Sequence, residues 1–449
     1  MAGAGKRFDN PSKAAAMKMV PWLKLAGLAA LLMHALVQPV QARLWYCCAA
    51  SQSLHPADGS SWSRAYHGLP PGQELQPGDS IFIAGGNYER DWVVTGSGKR
   101  NKPISLLRAT SLAHGSSKGW KQHFDDTIHL VERSISLSGT GIIIDGRSRG
   151  GITIQVKAAD QAAGIIASSP LHGVMIRNIA IGGPGVKDTH NTRAIDLTPS
   201  MGRSSALMID SCDLYAISNG LYTLHIDSIT VQHCTFNAIE NAGKIHENVW
   251  YSQSCNFARF RWNSVAHSVG EGVFLRSAQY DWLIYANTFF NSGYGVATKN
   301  GFAHHNIKVI NNTFINVDRP VAFKDSLDKA EVINNIFYPS SKGIIYPSGV
   351  HHDYNWYGGS QAEGEVHGRA GSSETPFVSI HQNDFQLQQG SSAIDAGCAI
   401  AGYTFLCKSG MRRGDAGPWD MGAFEFKTQT RVPQPSDTSI REDSWSTFR

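Results

Sequence analysis

Val309-Ile-Asn-Asn312-Thr-Phe314 is followed by Val332-Ile-Asn-Asn335-Ile-Phe337, and the likeness of these two stretches decides the fold. The same apolar-x-Asn-x-apolar pattern occurs upstream as Ile284-Tyr-Ala-Asn287-Thr-Phe289, Phe260-Arg-Trp-Asn263-Ser-Val265 and Ile176-Arg-Asn178-Ile-Ala. Asp353-Tyr-Asn355-Trp is a degenerate last copy. Two copies carry cysteine instead, at Cys212 and Cys234. The period, roughly 20–30 residues, is that of a solenoid.

Between these copies lie short strands, usually led by glycine: Gly220-Leu-Tyr-Thr-Leu224, Gly272-Val-Phe-Leu-Arg276, Gly295-Val-Ala-Thr-Lys299, Pro320-Val-Ala-Phe-Lys324 and Gly343-Ile-Ile-Tyr-Pro347. Asn248-Val-Trp-Tyr-Ser252 reads as another member. They alternate apolar and outward residues, as half-buried strands do. One such strand pair cannot bury its apolar face alone. Stacking coils ~4.8 Å apart buries a continuous core and pairs each backbone group with the coils above and below. The expected fold is all-β, a right-handed parallel β-helix with an N-terminal cap. Like residues then fall in columns, the asparagines as a ladder and Cys212 and Cys234 as small buried members of it.

The expected organisation is an export signal over 1–42, a cap over 43–102, coils over 103–370, a C-terminal module over 371–426 and a disordered polar tail over 427–449. In the signal, Lys18 and Lys24 precede the apolar run from Leu25 to Val37, and Val40-Gln41-Ala42 offers small residues for cleavage near Ala42. The run is too short to span a bilayer, so the mature chain is expected to be secreted or periplasmic, without a membrane span. The cap includes an expected amphipathic helix near Ser61–His67 and a strand at Ser80–Ala84. A net charge of +4 is too small and scattered to imply nucleic acid. Of seven cysteines, Cys398 and Cys407 are the expected disulfide.

Asp58-Gly-Ser-Ser-Trp62 and Pro77-Gly-Asp-Ser-Ile-Phe-Ile-Ala-Gly-Gly-Asn-Tyr88 open the chain, and Ser391-Ser-Ala-Ile-Asp-Ala-Gly397 with Asp420-Met-Gly-Ala-Phe-Glu425 closes it. These segments resemble those of secreted bacterial β-helix proteins similar to pectate, alginate and chondroitin lyases. The resemblance implies the fold strongly and the reaction weakly, because the group also includes epimerases, hydrolases and non-catalytic surface proteins.

Aligning the glycine-led strands gives two outward columns. One reads Tyr222, Trp250, Phe274, Ala297, Ala322, Ile345, and the other Leu224, Ser252, Arg276, Lys299, Lys324, Pro347. Aromatic faces bind sugar rings and stacked cations bind carboxylates, so the columns suit an acidic polysaccharide. The bland reading is a solvated lysine column with aromatics stacked on each other. For a uronate polymer, β-elimination needs the carboxylate neutralised, a base for the C5 proton and an acid for the departing O4. The lyase resemblance implies Lys299 as base and Arg276 as neutraliser or acid, with like charge one coil away favouring a neutral amine. Lys324, Trp250, Tyr222, Phe274, His246 and His225 are the expected substrate-binding residues. Glu247 and Glu271, read as equivalent positions on adjacent coils, could hold a calcium ion or serve as the carboxylate pair of a glycosidase. The leading expectation is a polysaccharide lyase. A non-catalytic adhesin or matrix protein, a glycoside hydrolase and a C5 epimerase are the alternatives. The pairs His304-His305 and His351-His352 are expected at the surface.

Overall fold

The computed structural model describes residues 42–49, 56–70, 75–243, 247–299, 301–339, 343–360, 363–371, 375–401, 405–415 and 417–427. The segment expected to be an export signal (all but Ala42), His246 and most of the polar tail lie outside them. Among the described residues no helix is long and apolar enough to cross a membrane.

The chain folds as a right-handed parallel β-helix. Each coil visits three parallel sheets in the order 1, 2, 3. Sheet 1 runs from Trp92–Ser97 through Ile135–Thr140, Ala163–Ala167 and Arg193–Leu197 to Val273–Leu275 and beyond. Sheet 2 runs from Leu44–Cys48 through Ser80–Ile83 and Ile104–Arg108 to Val350–Asp353. Sheet 3 includes Ile128–Val131, Ile152–Gln155, Ile179–Gly182 and Ile336–Tyr338. Four long strands, Asn219–Gln232, Asn248–Arg261, Thr288–Thr298 and Thr313–Phe323, bend round a corner and serve two sheets each. Parallel pairing already begins at Leu44–Cys48, so the segment read as a cap contributes strands to sheet 2. The helix expected near Ser61–His67 is only a 3-10 turn, Trp62–Arg64. Trp62 plugs an aromatic cluster there with Tyr46, Trp120 and Phe124.

Inside, like residues stack. Phe289, Phe314, Phe337 and Tyr357 form a column with centroids 4.8, 5.3 and 5.3 Å apart. Each such pair adds about 0.5–1.5 kcal/mol beyond its burial. At the corner between sheets 2 and 3, Asn263, Asn287, Asn312, Asn335 and Asn355 form the ladder, all fully buried. Each side-chain amide donates to the next asparagine's Oδ1 at 2.9–3.1 Å along the first four. Asn355 ends the run on the carboxylate of Glu365 at 2.8 Å. Cys212 and Cys234 occupy the ladder positions before Asn263, and Cys234 N donates to Asn263 Oδ1 at 2.9 Å.

Asn178 is not a ladder member. Ala180 pairs with Asp213, which puts Ile179 opposite Cys212 and Asn178 one residue earlier. There the backbone is left-handed, φ 60°, as it is at Ser211, His233, Trp262, Ala286, Asn311, Asn334 and Tyr354. The sharp turn takes that conformation in these coils, and asparagine tolerates it better than most residues. The C-terminal segment lies along this corner: Asn334 bonds both backbone groups of Cys398, and Trp262 Nε1 and Tyr285 OH both donate to the carbonyl of Leu406. Cys398 and Cys407 are free thiols, as are the other five cysteines, so the expected disulfide is absent. Cys407 Sγ sits 3.1 Å from Ser409 Oγ.

Candidate functional site

The outer face of sheet 1 is fixed by register. Asp196 pairs with Tyr222, Tyr222 with Tyr251, Tyr251 with Phe274, Phe274 with Ala297, and Ala297 with Ala322. Trp250 is therefore not on this face. It pairs with Leu221 and Val273 and is fully buried. Its Nε1 donates to Thr223 Oγ1 at 2.8 Å, and its ring packs against Trp282 at 4.7 Å. The equivalent of Gly220 in this coil is Val249, not Asn248, because Asn219 pairs with Asn248. A shift of one residue turns every side chain over, so Tyr251 takes the outward place expected of Trp250. The same shift replaces Ser252 by Gln253 beside Leu224.

The aromatics of this face cover one another. Tyr222 and Tyr251 stack at 4.5 Å and 3°, and Phe274 meets Tyr251 edge-on at 5.6 Å. Tyr251 and Phe274 are only 5% and 4% exposed, and Tyr222 is half-buried. Phe274 is thus part of the floor and not an open stacking platform. Burial raises the Tyr222 phenol above its ordinary pKa. The guanidinium of Arg193 lies 3.9 Å from the Tyr222 ring centroid and holds Asp196.

Arg276, Lys299 and Lys324 follow Leu275, Thr298 and Phe323, which are register partners, so the three cations form one trailing edge on consecutive coils. Arg276 and Lys324 have no ion-pair partner among the described residues. Lys299 does: its ammonium reaches back across Phe274, 5.3 Å from the ring centroid, to Glu271 Oε1. Its ion-pair partner is a carboxylate, which offsets the like charge of Arg276 and Lys324 on the adjacent coils. His225, half-buried with φ 55°, stands at the corner leaving sheet 1.

Glu247 and Glu271 are not equivalent. Trp250 pairs with Val273, which sets Glu271 opposite Asn248 and Glu247 opposite Gly270. Glu247 Oε1 accepts from Asn241 N at 3.1 Å, while Glu271 binds Lys299. Calcium takes 6–8 oxygen ligands, and among the described residues no group of three His, Cys, Asp or Glu converges on a common point. The two glutamates are thus offset by one residue between coils and hold different partners, so they are not a stacked pair.

Sequence reading missed the opposite, leading edge of sheet 1. Arg319 donates to the hydroxyl of Tyr294, its register partner. It also missed His304, which is buried at 2% exposure, its Nε2 3.1 Å from Asp325 Oδ2 and its Nδ1 without a partner. Burial lowers its pKa. Asp325 Oδ1 accepts from Gly301 N at 2.8 Å, and Thr298 Oγ1 accepts from the backbones of Lys324 and Asp325. This buried network fixes the turns that carry Lys299 and Lys324.

No family model matches the chain, and no curated protein matches it in sequence. Among solved structures it is similar to one described as the crystal structure of pectate lyase Pel9A, at 13% identity and TM-score 0.53, covering 87% of this chain and 98% of that one. A rhamnogalacturonan lyase aligns at 12% identity and TM-score 0.44 over 76% and 92% of the two chains. A PL6 family alginate lyase, AlyGC, aligns at 14% identity and TM-score 0.29 over 67% and 51%. The likeness to the first of these establishes a polysaccharide-lyase-like β-helix fold.

Proposed function

We propose that the outer face of sheet 1 binds an acidic, uronate-containing polysaccharide and cleaves it by β-elimination. The observation that carries this reading is the trailing edge, where Arg276, Lys299 and Lys324 stand on consecutive coils beside an aromatic and alanine floor. Arg276 and Lys324, without an ion-pair partner among the described residues, are free to take carboxylates. Neutralising a uronate carboxylate makes its C5 proton acidic, and Lys299 is the base nearest the floor. A bound sugar covering the Lys299–Glu271 pair strips water from both charges. Desolvation favours the neutral forms, so Lys299 passes a proton to Glu271 and becomes the free amine.

One observation favours a second reading. The Lys299–Glu271 ion pair is also what a non-catalytic glycan-binding protein would keep for structure. Incubation with a panel of uronate polymers separates the two. Elimination leaves a conjugated C4–C5 double bond that absorbs in the ultraviolet. Binding without absorbance or new chain ends sinks the lyase reading and leaves the adhesin or matrix one. The export signal places the protein outside the cytoplasm in this reading, where such polymers occur.

A further inference from the structure

The leading edge of sheet 1 holds a pair that the cation edge does not account for. Tyr294 and Arg319 are register partners on consecutive coils. Arg319 Nη1 donates to the Tyr294 hydroxyl, and its guanidinium carbon lies 5.1 Å from the ring centroid. The Tyr294 ring packs against the floor cluster of Tyr251, Phe274, Ala297 and Ala322. Val273 pairs with Val296, so Glu271, two residues earlier, stands opposite Tyr294 in the preceding coil. Glu271 is also where the Lys299 ammonium ends. A phenol and an amine thus approach the Phe274–Ala297 floor from opposite edges of one coil, and the amine ends on Glu271, whose backbone lies one coil step, ~4.8 Å, from that of Tyr294.

We propose that Tyr294 is the acid of this site, protonating the departing O4 of a bound uronate, with Arg319 as the residue that positions it. This assignment rests on the β-elimination reading above. A hydroxyl that accepts from a guanidinium keeps its own hydrogen for another acceptor, and the adjacent cation offsets the charge left on the oxygen when that hydrogen departs. Lys299 removes the C5 proton. The C5–H electron pair becomes the C4–C5 double bond, and the C4–O4 pair leaves with the oxygen, which takes the Tyr294 proton. Tyr294 then recovers a proton from water and Lys299 releases one, so no co-reactant is consumed.

The test compares two substrates: a uronate oligosaccharide, whose sugar leaving group needs a proton, and a 4-deoxy-4-fluoro uronide, whose fluoride does not. Tyr294→Phe keeps the ring and its packing. It is expected to lower kcat on the oligosaccharide about 10²–10⁴-fold and to leave fluoride elimination close to wild type. Arg319→Gln is expected to show the same split with a smaller loss. Lys299→Ala is expected to lower both. Equal losses on both substrates in Tyr294→Phe, or no loss on either, overturn the assignment of Tyr294 while leaving elimination standing. If the wild type forms unsaturated product from neither substrate, the elimination reading falls and takes the assignment with it.

Discussion

Lys299 and Glu271, one coil apart, form an ion pair across the ring of Phe274. The pair is half open to solvent on the lysine side, so it contributes no more than about 1 kcal/mol to stability. Its expected importance lies in proton transfer. Glu271→Gln should leave the melting temperature within a few degrees of wild type. It should tighten binding of polyuronate, because a competing carboxylate is gone, and lower kcat by at least about ten-fold. Titration calorimetry and initial rates on one preparation read both effects. Unchanged kcat would remove Glu271 from the chemistry.

The asparagine ladder should dominate stability at the corner between sheets 2 and 3. Asn312 Oδ1 accepts from both N and Nδ2 of Asn287, and its Nδ2 donates to Ile284 O at 2.9 Å. Asn312→Ala leaves these groups buried and unpaired, at about 1–3 kcal/mol each. Urea unfolding should show a loss of about 3–5 kcal/mol. A loss under 1 kcal/mol would mean that water replaces the side chain.

Trp250 and Tyr222 should separate core from face. Trp250→Ala is expected to destabilise by about 3–5 kcal/mol. Tyr222→Ala, which removes a stacked and half-buried ring, should cost about 1–2 kcal/mol and weaken glycan retention on affinity electrophoresis. A stable Trp250→Ala variant that no longer binds glycan would contradict the register described above.

Buried His304 should make the fold sensitive to acid. Burial lowers its pKa below the ordinary 6.5, with Asp325 opposing that effect. Between 6.5 and the lower folded value the unfolded chain binds more protons, so stability falls as pH drops through that window and is fully retained above it. In His304→Gln the difference in unfolding free energy from wild type should vary with pH only there. A difference independent of pH from 5 to 8 would contradict the buried neutral imidazole.

Much of this was legible in sequence because solenoid columns repeat. Asn263, Asn287, Asn312 and Asn335 recur every 23–25 residues in one neighbour pattern, and their ladder follows from stacking. The cations Arg276, Lys299 and Lys324 close strands led by glycine or proline, and those leads fixed their register. The coil holding Trp250 has Val249 in the lead position, and without glycine as a marker its alternation was read one residue out. That slip also made Glu247 the apparent equivalent of Glu271. Tyr294 and Arg319 went unnoticed because they lie just before the glycine- or proline-led segments, at the bends of the long strands Thr288–Thr298 and Thr313–Phe323. Their partnership depends on pairing with the next coil, not on any local motif. His304 and His305 read together as a surface pair near a turn, but they lie on a strand whose adjacent residues face opposite ways, and His304 faces inward.

The central claim is elimination at the trailing edge of sheet 1, and the mass spectrum of the products from a defined uronate oligosaccharide tests it most directly. The expected result is fragment pairs whose masses sum to the parent, one carrying the C4–C5 double bond, formed by the wild type and lost in Lys299→Ala and Arg276→Ala proteins that remain folded. Fragment pairs heavier than the parent by one water, or intact oligosaccharide with every uronate polymer tried, would contradict it.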